Sequence, residues 1–204
     1  ATPLIVEVKP AVVIPPPSQL SNSDFGVDLH FVLDGAAIHM ASYDQENEKL
    51  VYTSFSGVWG STTLDGEGSY GQTPRIALDP LNDNRPFVCA PSEGGVECWA
   101  LSSSSFWERA LVAPGANITG SFDLIAETSG SMNLLYIENG ALRFARSTTA
   151  ARDVWDVTTP EGAGVTYSTM ALAFDGTLRA AYQLNGMAYF AHPRTDEIGW
   201  SREL

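Results

Sequence analysis

Four tryptophans, Trp59, Trp107, Trp155 and Trp200, recur 48, 48 and 45 residues apart along a chain of 204 residues. Each one ends the same local script of short apolar runs and turns, so the chain reads as about four repeats. A unit of this length cannot bury its apolar faces alone and must stack on its neighbours. Periods in this range belong to propellers and arrays, and the units here are all-β.

From residue 25 onward each repeat supplies four strand candidates. They lie at 27–34, 37–43, 50–54 and 58–64 in the first repeat, and at 74–79, 86–89, 96–100 and 106–112 in the second. The third has 122–127, 133–136, 141–145 and 154–157, and the fourth 170–175, 178–182, 187–191 and 199–204. The dipeptides Asp34-Gly35, Asn139-Gly140, Asp175-Gly176 and Asn185-Gly186 separate strands. They are hairpin signals, because a type I′ turn needs positive φ at both central residues. Several strands are apolar on both faces, as blades stacked against neighbours require. The expected fold is an all-β propeller of about four four-stranded antiparallel blades, spanning 25–69, 70–117, 118–165 and 166–204. A β-sandwich is the competing architecture, but it gives no reason for a recurrent tryptophan. Residues 1–24 differ: two β-rich runs are broken by Pro10 and Pro15-Pro16-Pro17, which reads as a semi-rigid linker with a strand able to join a sheet edge.

Twenty-four acidic against eleven basic residues give a formal charge of −13. The basic residues form no cluster, which argues against binding a phosphate backbone. No run of 18 apolar residues offers a membrane span. The start at Ala1-Thr2-Pro3 is expected of a processed or excised product. Cys89 and Cys98 bracket a turn, and a hairpin pairing 90 with 97 would set them face to face. Facing positions reach disulfide geometry with small adjustment, which implies an oxidising compartment; two buried thiols are the alternative.

The repeat, carried by Ile76-Ala77-Leu78-Asp79, Ala173-Phe174-Asp175-Gly176, Leu142-Arg143-Phe144-Ala145 and the four tryptophans, resembles that of bacterial propellers in the sialidase-like, BNR-type superfamily. The resemblance covers roughly residues 25–204 and implies the fold far more than the function. Sialidases of that group carry Asp-box turns, three arginines on the sugar carboxylate and paired acidic catalysts. Here Ser56-Gly57-Val58-Trp59 is only a shortened echo, and Arg75, Arg143 and Arg179 occupy different strand positions in their repeats. Nothing singles out a carboxylate pair for glycoside hydrolysis. Fucose-binding propeller lectins have repeats of about 45 residues as well. They repeat an Arg, a Glu and an aromatic between blades, and neither Arg143 nor Arg179 recurs that way.

The four periodic tryptophans are expected to pack between blades, with sugar stacking as the alternative. Trp99 breaks the period beside Cys98, which makes it the candidate for an exposed anchor against a default of packing. Loops between repeats, and between second and third strands, share one propeller face. They offer Tyr43, Tyr70 and Tyr167 as ligand-contacting candidates and Asp44, Glu46, Asp65 and Glu67 as oxygen ligands for Ca²⁺, although solvated turns account for the same acids. The similar stretch 79–84 belongs to the opposite face and reads as a long turn. Asn117-Ile118-Thr119 fits a glycosylation sequon, and His30, His39 and His192 are too scattered for a triad. No catalytic residue and no obligate cofactor is expected. The favoured function is a secreted, periplasmic or surface binding module for a protein or carbohydrate ligand. A sialidase-like hydrolase, or a subunit of a larger propeller made by homo-oligomerisation or by a longer chain, are the alternatives.

Overall fold

The computed structural model describes residues 25–64, 73–193 and 199–203. The linker 1–24 and the candidates Asp65, Glu67 and Tyr70 lie outside the described residues. Among the described residues, sixteen strands form four separate four-stranded antiparallel sheets, each a simple meander. The first contains β1 (Phe25–Asp34), β2 (Ala37–Asp44), β3 (Lys49–Phe55) and β4 (Trp59–Leu64). The second contains β5 (Arg75–Asp79), β6 (Arg85–Ser92), β7 (Gly95–Leu101) and β8 (Trp107–Pro114). The third contains β9 (Ile118–Ala126), β10 (Met132–Glu138), β11 (Ala141–Ser147) and β12 (Trp155–Glu161). The fourth contains β13 (Val165–Leu172), β14 (Leu178–Leu184), β15 (Met187–Pro193) and β16 (Trp200–Glu203). These are β-propeller blades, and the sandwich is set aside because the sheets stack in series.

Local chemistry sets the hairpins. Asn139-Gly140 and Asn185-Gly186 have positive φ at both residues, as a type I′ turn requires. The Asp-Gly turns depart from that expectation, since only Gly35 and Gly176 are left-handed there. At the second of them the Asp175 carboxylate accepts the Thr177 N–H at 2.9 Å, so a side chain does the work of the missing backbone geometry.

The core is not central to any blade but lies between blades. One cluster joins Ala41, Tyr43, Leu50 and Tyr52 of the first blade to Ile76, Val88 and Trp99 of the second. The next joins Phe87, Cys89, Val96 and Cys98 to Phe122, Leu124, Leu134 and Tyr136. The third joins Leu135, Ile137 and Phe144 to Met170, Leu178, Tyr182 and Tyr189. Strand alternation makes this possible: Leu134 and Tyr136 face backward while Leu135 and Ile137 face forward.

The periodic tryptophans open the fourth strand of every blade, facing Phe55, Leu101, Ser147 and Pro193 across the sheet. Trp107 meets Tyr52 of the preceding blade edge-on at 4.9 Å, and Trp200 meets Phe144 in the same way at 4.8 Å. Trp155 meets Phe87 at 6.2 Å. The role of these three is inter-blade packing, as the period suggests, whereas Trp59 packs on Phe55 of its own blade at 5.0 Å.

Innermost strands leave backbone N–H groups facing the neighbouring blade, and polar side chains satisfy them. His30 Nδ1 on β1 accepts from Ile76 N–H on β5 at 3.2 Å. On β9, Ser121 accepts from Ser168 N–H at 3.0 Å and Asp123 from Met170 N–H at 2.8 Å. The same device thus recurs with three different side chains.

Candidate functional site

The structure separates the sequence candidates sharply. Trp99 and Tyr43 are corrected as ligand contacts: at 2% and 6% exposure, both are enclosed between the first two blades. The physical reason is the alternation of β7 and β2, which turns these rings into the blade interface rather than onto a loop. Tyr167 is 64% exposed, but it sits on β13 in the last blade, away from any concavity in the described residues. Asp44 is buried and spends its carboxylate on its own turn, accepting from the backbone N–H groups of Glu46 and Asn47 at 3.1 and 3.2 Å and from Asn47 Nδ2 at 2.8 Å. Glu46 points to solvent. Among the described residues no three His, Cys, Asp or Glu gather to hold a metal.

Cys89 and Cys98 face each other across β6 and β7 and form a disulfide, 9 residues apart in sequence. Both are fully enclosed in the joint with the third blade, so the bridge also serves as core.

Arg75, Arg143 and Arg179 stand on β5, β11 and β14, in three different blades, and Arg143 is held by Glu138 at 2.6 Å. They build no common anion site. His39 Nδ1 meets the Tyr52 hydroxyl at 2.6 Å, and His192 Nδ1 meets the carbonyl of Pro193 at 3.1 Å.

The concavity lies on the face opposite the expected loops, between the second and third blades. It is built by the β5–β6 turn, the β7–β8 loop and the β11–β12 loop, and encloses about 190 Å³. Asp79, Asn82, Arg85, Ser102, Glu108 and Arg152 supply its polar lining; Pro86, Phe87 and Leu101 supply an apolar wall. A second depression of about 190 Å³, bordered by Leu81, Ser131 and Thr149, shares Arg152 as its wall.

Arg152 is the centre of this construction. The β11–β12 loop is closed by Thr148 N–H to the Val154 carbonyl at 2.9 Å and by Trp155 Nε1 to the Arg152 carbonyl at 2.8 Å. Arg152 itself adopts a left-handed backbone, with φ of 60°, which turns its side chain across the blade boundary. Its Nη2 donates to Asp79 Oδ2 at 2.5 Å, with side chains only 5% and 8% exposed. Nη1 donates to the carbonyl of Ala150, and Nε is buried without a partner. Asp79 also accepts from Leu81 N–H at 3.1 Å and Asn82 Nδ2 at 2.7 Å. The pair neutralises itself and leaves Arg85, Glu108, Asn82 and the Ser102–Ser103 loop facing the cleft. Such a lining offers hydrogen bonds to neutral polar groups and no activated nucleophile.

Sequence reasoning missed Arg152, treating 79–84 as a turn with no role. The available signal was the β11–β12 loop itself, which interrupts the repeat with a polar run before Trp155.

Neither a protein-family model nor a curated protein matches the chain in sequence. Solved structures do match in fold. AofleA from Arthrobotrys oligospora superposes with a TM-score of 0.64 at 13% identity, over 86% of this chain and 55% of that one. A mutant of Aleuria aurantia lectin, in complex with alpha-methyl-L-fucoside, gives 0.60 at 12% identity, over 86% and 59%. An alpha-L-arabinofuranosidase from Fusarium graminearum, in complex with an iminosugar inhibitor, gives 0.53 at 13% identity, over 80% and 61%. The likeness establishes the propeller fold. The chain spans little more than half the length of the first two proteins.

Proposed function

We propose that this chain is a non-catalytic carbohydrate-recognition module of a secreted or cell-surface protein, and that it takes its ligand at the cleft between the second and third blades. The observation that carries this reading is the lining: paired and single polar groups arranged beside a short apolar wall, the composition that suits a hydroxyl-rich ring with one apolar face. The lectin of similar fold in complex with alpha-methyl-L-fucoside supports it, as does the buried disulfide, which favours an oxidising compartment. The repeat itself resembles that of the sialidase-like, BNR-type propellers, whose Asp box and arginine triad it lacks.

Hydrolysis is disfavoured by the same lining. Glycosidases need two working carboxylates about 5–9.5 Å apart. Of the two in the cleft, Asp79 is committed to Arg152, Asn82 and the turn backbone, which leaves Glu108. A glycan array followed by calorimetry on the strongest saccharide tests the proposal. Arg85→Met and Glu108→Gln should each weaken binding at least about tenfold, the scale of one lost charge-assisted hydrogen bond. A blank array, or turnover of fluorogenic glycosides, would reject it.

A further inference from the structure

The concavity between the second and third blades does not end at Arg152. The Asp79–Arg152 pair crosses it as a bridge, with one depression of about 190 Å³ beside Asn82 and Arg85 and another of about 190 Å³ beside Leu81 and Ser131. Ala150 and Arg152 border both. Consecutive residues of the β5–β6 turn therefore line different depressions, Leu81 the second and Asn82 the first.

The second depression is shaped by a glycine. Gly130 has a φ of +83°, and a Cβ added there would lie 2.5 Å from Leu81 Cδ1 and 3.2 Å from Arg152 Nη2. The β9–β10 turn thus seats Leu81 and Arg152 against bare backbone, which only glycine permits. The Gly130 N–H donates to the Glu127 carbonyl at 2.8 Å and the Glu127 N–H to the Ser131 carbonyl at 2.9 Å, which fixes the turn. Leu81 stays 64% exposed, an apolar surface beside the hydroxyls of Ser131 and Thr149. The first depression has the same composition, with Phe87 beside Asn82 and Ser102.

We propose that the two depressions are adjoining subsites of one groove that takes a neutral linear oligosaccharide, one sugar ring on each side of the Asp79–Arg152 bridge. This rests on the glycan reading of the first depression and deepens it. Size favours the pair: a volume of about 190 Å³ falls below the range of about 300–1,000 Å³ usual for small-molecule sites, and the two together enter it. Each subsite offers an apolar patch for a ring face and polar groups for its hydroxyls. Arg152, with its side chain 5% exposed, is a positioning residue that holds the two walls together beneath the chain. Charge selects neutral sugars. In the first depression Asp79 and Glu108 balance Arg85 and Arg152, and the second adds no further charged side chain. A protein of formal charge −13 also repels acidic chains.

The test is affinity against chain length, by calorimetry with NMR titration for the shortest chains. The probes are β-1,4-linked oligomers of glucose, mannose and xylose, of one to six units, with galacturonate oligomers of the same lengths as the acidic series. In a neutral series the affinity should rise at least about tenfold from one unit to three and stay level beyond. Leu81→Ser, at an exposed position, should melt like the parent and bind three units at least about tenfold more weakly, cancelling the gain. Arg85→Met should weaken every length. An affinity independent of length, a gain that survives Leu81→Ser, or tighter binding of galacturonate would overturn the two-subsite groove and leave a module that takes a single ring. Binding to none of these chains overturns the groove, and only a blank glycan array as well would remove the glycan reading.

Discussion

Replacing Arg152 by methionine removes the guanidinium that crosses from the third blade to Asp79 of the second while keeping much of its bulk. In a stack of repeats, stability is a sum of unit terms and nearest-neighbour joints, so the change acts on one joint. Stranding one partner of a buried ion pair costs about 3–5 kcal/mol in general. Here Asp79 keeps two hydrogen bonds from its own turn, and it borders a cleft that water can enter. The expected loss is therefore about 2–3 kcal/mol, which for a domain of this size lowers the melting temperature by about 4–12 °C. Asp79→Asn should cost a similar amount by leaving Arg152 as an unpaired cation, and the double variant should recover part of the loss. The exposed pair Arg85–Asp83, at 3.3 Å, is the internal control, and Arg85→Met should move the melt by no more than about 2 °C. Calorimetric melts of the four variants beside the parent decide the matter. An Arg152→Met melt within about 1 °C of the parent, or strictly additive single losses, would refute the view that this pair joins the blades.

The joint between the first two blades should be sensitive to acid. Burial lowers the pKa of His30, and the nearby Arg75 lowers it further, against an opposing pull from Asp123. Because Nδ1 accepts the Ile76 N–H, the bond itself also requires a neutral nitrogen there. Burial lowers His39 too, against Asp34. With folded values below the ordinary 6.5, the unfolded chain takes up protons first, so stability is full well above pH 6.5 and falls as pH drops through it. Melts that stay flat from about pH 8 to about pH 5.5, or a fall unchanged by His30→Gln with His39→Gln, would contradict this. Reducing the Cys89–Cys98 bridge should lower stability by about 2–3 kcal/mol from loop entropy, seen as an earlier urea midpoint in the presence of dithiothreitol. Gly95→Ala should be more damaging than an ordinary surface change. A Cβ there would meet the Ala113 carbonyl oxygen at 1.9 Å in a backbone with φ of +126°, so a loss of at least about 2 kcal/mol or insoluble expression is expected.

The recurrent tryptophan was legible because its spacing reflects a joint that every blade must make, and the paired turns and β-rich runs carried the four-by-four strand plan. Facing positions across a short hairpin similarly announced the disulfide, since register there follows from turn length alone. Periodicity could not say which face of a strand meets a neighbour, so Trp99 and Tyr43 read as ligand contacts although stacking encloses them. Nor could it reveal Arg152, whose partner Asp79 is 73 residues away and reached only because one loop folds back over a blade boundary. Local spacing is written along the chain and is readable there. Which faces are covered and where a cleft opens depend on how the blades stack, and that only the tertiary structure decides.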